Sequence, residues 1–289
     1  MAYKGNILIT GASSGIGNAA VAKFVQQGYR VFASVRKELD ASRLSELHGE
    51  YCVPLLFDVT DHQAVYHAAG QVGEILGDGS LDLLVNNAGV AVHGPTEYID
   101  IEEYRYQFEV NFFGIVETTK AFLPLLGTDE KVNRKSGKIF NISSVAGQLV
   151  FPFMGPYSAS KHALEGFSHA LRRELMIHGI DVVIISPGSI KTPIWEKVED
   201  TREAVRDSVY GDVIDRFRKG FVKEADQGLE VSVFADELFS IFQKRSPRAR
   251  YAILNNKFTK WTVPRYFLSH RRLDRLIKRM LRMGDQGSR

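Results

Sequence analysis

The chain of 289 residues has a single cysteine, Cys52. One thiol excludes an intramolecular disulfide and fits a reducing compartment. No His/Asn constellation accompanies it, so Cys52 reads as a small core residue in a strand rather than a nucleophile. No apolar run approaches the ~18 residues that a membrane-crossing helix needs. The chain enters an apolar stretch at once ("GNILITG"), which leaves no room for a signal segment, and a cytoplasmic location is expected. The eight histidines are scattered without an H-x-x-x-H pair, and one cysteine cannot make a C-x-x-C, so no metal site is expected. His162, beside Lys161, reads as structural. A strong charge of either sign is also lacking: the net is +3, and residues 265–289 alone hold eight Lys/Arg against two Asp. A basic tail on a mildly acidic body argues against a nucleic-acid partner. There is no repeat, low-complexity tract or linker, and 44% hydrophobic residues suffice for one domain over 1–289.

What the chain does have is a row of apolar, β-rich runs with helix-length stretches between them. Strands are predicted at Asn6–Thr10, Arg30–Val35, Val53–Phe57, Leu81–Asn86, Lys138–Ile142, Asp181–Ile185 and Arg250–Leu254. Several are continuously apolar ("LDLLVN", "DVVIIS"), as strands buried on both faces are. Helices are predicted over 15–28, 61–76, 102–126, 156–178 and 228–244. Strand–helix alternation implies right-handed crossovers and an α/β fold, a doubly wound, parallel seven-stranded sheet with helices on both faces. Residues 127–137 read as a surface loop. The mixed segment 189–227 follows a strand end, where open α/β sheets bind ligands, and is placed to be a substrate lid.

"LITGASSGIG" puts Gly11, Gly15 and Gly17 between the first strand and a helix. Such a turn lets backbone N–H groups approach a pyrophosphate at the helix N-terminus, although turns use glycine for other reasons too. At the end of the second strand, an acid would bond ribose hydroxyls and an arginine would accept a 2′-phosphate. The sequence there is "VFASVRK": Val35 stands where the acid is expected, and Arg36 and Lys37 follow. This favours NADP(H) over NAD(H), with Ser14 as a further hydroxyl contact; the alternative is a solvated basic strand end.

"YSASK" sets Tyr157 and Lys161 four residues apart, on one face of a helix. A neighbouring ammonium favours phenolate and would make the tyrosine a proton-transfer group near neutrality. Taken alone, the pair reads more readily as an ordinary exposed helix turn.

The glycine motif, "NNAG" (86–89), "NISS" (141–144), "YSASK" (157–161) and "PGSIKTP" (187–193) occur in this order. Together they resemble the short-chain dehydrogenase/reductase family, single-domain branch, over about residues 5–200. The resemblance implies an alcohol dehydrogenase or carbonyl reductase acting on CH–OH groups with NADP(H), less so NAD(H). It implies Tyr157 as general acid/base, Lys161 on the nicotinamide ribose, Ser144 on the substrate oxygen and Asn111 in a proton relay; Ser143 is a structural partner. It also implies cofactor contacts from Gly11, Ser13, Ser14, Gly15, Ile16, Gly17, Arg36 and Lys37. Asp58 and Val59 would meet the adenine; Asn87, among the cofactor-site residues, would hold neighbouring strands together, while Ala88 and Gly89 would lie along the cofactor. Pro187, Gly188, Ile190 and Thr192 would lie by the carboxamide.

"VFASVRK", "PGSIKTPIWEK" and the C-terminal extension are similar to the hydroxysteroid and retinol dehydrogenase branch, implying a lipophilic alcohol or ketone substrate. Val145, Phe151, Phe153, Met154 and Trp195 flank the motifs as a candidate apolar wall, or as core beside the site. The basic extension 255–289 contains the amphipathic stretch 271–284, with Leu273, Leu276, Ile277, Met280 and Leu281 at helical spacing. It is either a helix docked on the body or a partner subunit, or a membrane-surface helix. Helices 102–126 and 156–178 resemble those that build homodimers and homotetramers in this family. The competing function is a catalytically silent NADP(H)-binding regulatory protein on the same fold, which should have lost Tyr157 or Lys161.

Overall fold

The computed structural model describes residues 3–129, 132, 134–192 and 205–284. Seven strands form one sheet in the order β3-β2-β1-β4-β5-β6-β7, with every pairing parallel. They are β1 (Asn6–Ile9), β2 (Arg30–Val35), β3 (Cys52–Leu56), β4 (Leu83–Asn86), β5 (Lys138–Ile142), β6 (Asp181–Pro187) and β7 (Arg250–Ile253). All seven predicted strands are present, and ends differ by at most two residues. The order reverses between β1 and β4, and a crevice opens beyond their carboxyl ends.

Side chains alternate across the sheet, so each face has its own core. Ile7 and Ile9 pack with Phe24 of α1 (Gly15–Gln26), Leu44 of α2 (Glu38–His48) and Phe234 of α8 (Val231–Phe242). Leu8 packs on the other face with Val65 of α3 (His62–Leu76), Phe122 of α5 (Gly114–Phe122) and Leu171 of α6 (Gly155–Glu174). Cys52 is buried in β3, where desolvation pushes its thiol up to about 11, so it is a core residue without thiolate character.

Three helical features depart from the sequence expectation. Helix α2 was not predicted: only Leu44 is buried on it, while Leu39 and Leu47 face solvent, so its apolar signal is slight. The predicted helix 102–126 is broken into α4 (Ile101–Phe108), a π-helical turn (Glu109–Phe113), α5 and a 3₁₀ turn (Leu123–Leu126) that contains Pro124. The segment 189–227 contains α7 (Gly211–Asp226); residues 193–204, including Trp195, lie outside the described residues.

Beyond β7 come a π-helical turn (Phe258–Thr262), α9 (Val263–Tyr266) and α10 (His270–Met280). Helix α10 docks on the body. Ile277 and Leu281 are buried, and Arg216 of α7 donates from Nε to the Leu281 carbonyl at 2.8 Å. Leu276 and Met280 remain exposed. No helix among the described residues is long and apolar enough to cross a membrane.

Candidate active site

The floor of the crevice at β1 and β4 is made by close backbone packing. Gly11 has φ +66°, and a Cβ there would stand 2.8 Å from the Ala88 Cα. A Cβ on Gly17 would stand 2.3 Å from the Gly11 carbonyl oxygen. Glycine is therefore required at both positions, at Gly11 for conformation and at Gly17 for space. Thr10 Oγ1 accepts the N–H groups of Asn87 (2.9 Å) and Ala88 (3.0 Å), and Asn87 Nδ2 donates to the carbonyls of Thr10 (2.8 Å) and Gly11 (3.1 Å). These bonds lock the glycine turn to the end of β4. Ser14 is the N-cap of α1, yet its hydroxyl makes no capping bond, which leaves it free for a ligand.

At the far end of the crevice, Arg36 Nη1 lies 3.5 Å from Asp58 Oδ2. Asp58 Oδ1 also accepts from Thr60 N and Thr60 Oγ1, both at 3.0 Å. Arg43, on the unpredicted α2, donates from Nη2 to the Ser13 carbonyl at 2.5 Å and lies 3.3 Å from Asp40 Oδ1. It brings a second guanidinium to the glycine turn. Lys37 is the exposed N-cap of α2 and is not part of the cavity wall, because the helix start carries it out to solvent.

At the near end, Tyr157 and Lys161 lie on α6, both buried, and the Ser144 hydroxyl is near enough to the Tyr157 phenol to favour its anion. Ser144 Oγ also accepts the Ala146 N–H at 3.0 Å, which orients it. Lys161 Nζ stands 5.9 Å from the Tyr157 ring centroid and donates to the Ile142 carbonyl at 2.8 Å. Burial raises the phenol's pKa, opposed by the Ser144 hydroxyl. Burial also pushes the Lys161 ammonium down to about 8, opposed by the carboxylate of Glu165. The expectation that the lysine lowers the phenol's pKa therefore does not hold for the protein alone. Desolvation penalises both charged forms, and the ammonium is turned onto a carbonyl.

Asn111 is fully buried in the π-helical turn, a local geometry that recurs at functional sites. Its amide bonds both backbone groups of Val90 (2.9 and 3.0 Å) and reaches Ser160 Oγ at 3.4 Å. Beneath the site lies a buried carboxylate that the sequence reading missed. Glu165 accepts from Ser143 Oγ (2.8 Å), Gln148 Nε2 (2.8 Å) and Ser186 Oγ (3.4 Å), and pairs with Arg250 of β7. Its one signal in the sequence is its place one turn beyond Lys161, on the same face of α6. Ser143 is thus a structural partner.

A cavity of about 720 Å³ joins the two ends. Its wall includes Gly11, Ser13, Ser14, Gly15, Ile16, Arg36, Asp58, Val59, Asn87, Ala88 and Gly89 at one side, and Ser144, Tyr157, Lys161, Pro187, Gly188, Ile190 and Thr192 at the other. Of the sequence-derived site residues, Gly17, Lys37 and Asn111 do not line it; Gly17 and Asn111 act from behind, through backbone contacts. The aromatic wall is also differently placed. Val145, Phe151, Phe153 and Met154 are not in the cavity lining. Phe153, held at φ +67°, instead packs edge-on against Tyr210 and Phe217.

Residues 5–203 match the family described as short chain dehydrogenase. The chain is 40% identical over 281 residues to an NADPH-dependent 3-dehydrocapnine reductase from Ornithobacterium rhinotracheale, covering 97% of this chain and 99% of that protein. It is 36% identical over 202 residues to a bovine (Bos taurus) 17-beta-hydroxysteroid dehydrogenase type 6, covering 69% and 62% respectively. A short-chain dehydrogenase/reductase from Burkholderia phymatum, solved in complex with NAD, superposes with a TM-score of 0.72 at 25% identity over 86% of this chain and 89% of that one. Five ordered motifs, the strand order 3-2-1-4-5-6-7 and a relative matched along nearly its whole length converge: the chain belongs to the short-chain dehydrogenase family of oxidoreductases and is similar to its hydroxysteroid dehydrogenases.

Proposed function

We propose that this oxidoreductase is NADP(H)-dependent and interconverts a lipophilic ketone and its secondary alcohol at Tyr157. The observation that carries this reading is the convergence of Ser144, Tyr157 and Lys161, all buried, on one cavity that continues to the glycine turn and Arg36.

The residues present fit a dinucleotide. The cradle at Gly11 and Gly17 admits no side chain, the Ser14 hydroxyl is uncommitted, and the N-terminus of α1 opens on the cavity. Arg36, Arg43 and Ser14 would hold a 2′-phosphate, and Asp58 and Val59 would meet the adenine. Ala88 and Gly89 would run along the cofactor, with Ile190 and Thr192 at the carboxamide. Two guanidiniums and no acid at Val35 favour NADP(H) over NAD(H), and the relative named as NADPH-dependent agrees. The nicotinamide supplies or accepts the hydride when bound. Tyr157 gives the carbonyl oxygen its proton, or takes one from the alcohol. Ser144 donates to the same oxygen and stabilises the developing charge. Lys161 would hold the ribose hydroxyls of the bound cofactor with the donors that its bond to the Ile142 carbonyl leaves free. Asn111 fixes the Val90 backbone and would support the proton relay from behind the cavity wall. Apolar Val90, Ala91 and Val92 on the wall suit a lipophilic substrate.

The test is a 340 nm assay on ketones and secondary alcohols with wild type and Tyr157→Phe. Loss of turnover by about 10²- to 10⁴-fold with NADPH binding retained is expected. Undiminished turnover in the variant overturns the mechanism.

Two surfaces extend the reading. Exposed Ile101, Tyr106 and Phe113 on the α4–α5 face support a homo-oligomer, which sedimentation velocity of wild type and Phe113→Glu tests. Exposed Phe267, Leu276 and Met280 among the basic residues of the C-terminal extension support a peripheral contact with anionic lipid. Equal flotation with anionic vesicles before and after removal of residues 265–289 would refute that contact. A single domain in the cytoplasm, with α7 of the segment that follows β6 over the substrate, completes the proposal.

A further inference from the structure

We infer that Glu165 is a positioning residue for the reaction: its buried carboxylate clamps both ends of the turn that carries Ser144 and sets a negative charge one helical turn from Lys161. The inference rests on the ketone-reductase reading of the site. Ser143 Oγ donates to Glu165 Oε1 at 2.8 Å, and Gln148 Nε2 donates to Oε2 at 2.8 Å. Ser144 and the 3₁₀ turn Val145–Gly147 lie between those two residues. Inside the turn, Ser144 Oγ accepts the Ala146 N–H at 3.0 Å, and the Gly147 and Gln148 N–H groups return to the Ser144 and Val145 carbonyls at 3.0 and 3.1 Å. The turn is thus one closed unit, and a shift at Ser143 or Gln148 carries the Ser144 hydroxyl with it. The carboxylate lies close against it: a Cβ on Gly147 would stand 2.7 Å from Ser143 Oγ and 3.2 Å from Glu165 Oε1.

Two further contacts tie the same carboxylate to the rest of the site. Ser186 Oγ donates to Glu165 Oε1 at 3.4 Å, next to Pro187 and Gly188 of the cavity wall. Lys161 Nζ donates to the Ile142 carbonyl at 2.8 Å, so Lys161 and Glu165 hold adjacent residues, Ile142 and Ser143, at the end of β5. The Glu165 charge also favours the Lys161 ammonium against the burial that penalises it. The other charged groups around the carboxylate are Arg250 of β7, its ion-pair partner, and Arg265 of α9; His169 and Tyr266 act through Arg250. A buried ion pair is a weak source of stability in itself. Here its carboxylate fixes Ser144, and a donor displaced by about 1 Å can cost about 10²-fold in rate.

The experiment measures kcat, KM, the Kd for NADPH and the pH profile of kcat, with dodecan-2-one and acetophenone as probes, in wild type, Glu165→Gln, Glu165→Asp and Gln148→Met. Glu165→Gln should lower kcat by about 10- to 100-fold, with KM and the NADPH Kd within about twofold of wild type. It should also move the alkaline limb of the profile to lower pH, because Lys161 loses the charge that favours its ammonium. Glu165→Asp keeps the charge but is one methylene too short for the two clamps, so kcat stays low while the limb returns toward wild type. Gln148→Met removes one clamp and no charge, and should lose about 2- to 10-fold in kcat with the limb in place. That variant carries the test if Glu165→Gln does not fold. A wild-type kcat in Gln148→Met, or an unmoved limb in Glu165→Gln, overturns the inference and leaves the reductase reading intact. A parallel loss of NADPH affinity in the Glu165 variants would make Glu165 a prop of the fold and also overturn it. Failure of wild type on both ketones removes the ketone-reductase reading, and the inference with it.

Discussion

Arg250→Met is expected to destabilise the fold by about 3 kcal/mol near pH 8, and by far less near pH 5. The Glu165 side chain is only 7% exposed and its cationic partner is Arg250 on β7, itself 20% exposed. Removing one member of a buried pair costs about 3–5 kcal/mol, because the other charge is left uncompensated. The lower end applies here, since water reaches Arg250. The carboxyl also has an escape. Burial already raises its pKa, with Arg250 the strongest opposing influence, and without Arg250 it rises further. An acid whose folded pKa lies above the unfolded ~4.3 binds a proton that the unfolded chain releases. Stability therefore falls as pH rises from about 4.3 through the folded value, by about 1.4 kcal/mol for each unit of upward shift. Urea titrations at pH 5 and pH 8 measure this directly. Glu165→Gln placed on the Arg250→Met background should recover most of the loss at pH 8, because a neutral amide oxygen still accepts from Ser143. His169, Lys161 and Arg265 also surround the pair and are the same in every variant. A penalty that is equal at the two pH values, or a double variant whose losses simply add, would refute the idea that an uncompensated Glu165 charge is the cause.

Arg36→Ala and Arg43→Ala should each raise the Kd for NADPH by about 10- to 100-fold with a much smaller effect on NADH, since each removes a charge-assisted contact; fluorescence titration with both nucleotides measures the ratio, and equal losses for the two would remove the 2′-phosphate role. Burial sets the Lys161 ammonium at about 8, below the unfolded ~10.4, so the folded protein binds fewer protons and gains stability from this residue as pH rises between those values. Lys161→Met should abolish that gain, which denaturation of the cofactor-free protein at pH 8 and pH 10 reads out. Cys52 should react with a thiol probe only at the rate of unfolding, because it is 5% exposed and its pKa is raised to about 11; fast labelling of the native protein would place it outside the core.

Most of the cavity wall around the glycine turn could be read from the sequence because its determinants are local. Gly11, Gly15 and Gly17 stand on one turn, Tyr157 and Lys161 on one helix face, and the strands that carry them are continuous apolar runs. The rest is set by contacts between residues distant in sequence. Arg43 escaped because α2 buries only Leu44 and gives almost no periodic signal, although that helix is what delivers the guanidinium to Ser13, thirty residues away. Glu165 escaped because its meaning depends on Arg250, which the crossover to β7 brings in from 85 positions further on. The sign of the Tyr157 shift escaped for a different reason: spacing places an ammonium near a phenol, but only burial decides whether desolvation outweighs the attraction. The described part of the apolar wall is core beside the site, the alternative reading, for a similar reason. Phe151, Phe153 and Met154 are neighbours of Tyr157 in the chain, yet the left-handed turn at Phe153 aims its ring at Tyr210 and Phe217. The loop after β4 lines the cavity instead. On the proposed reading, substrate selection would belong to loops whose side-chain directions depend on backbone turns, and hydride and proton transfer to motifs fixed by strand ends and helix faces. For that reason the reaction class follows from this sequence more directly than the identity of the ketone.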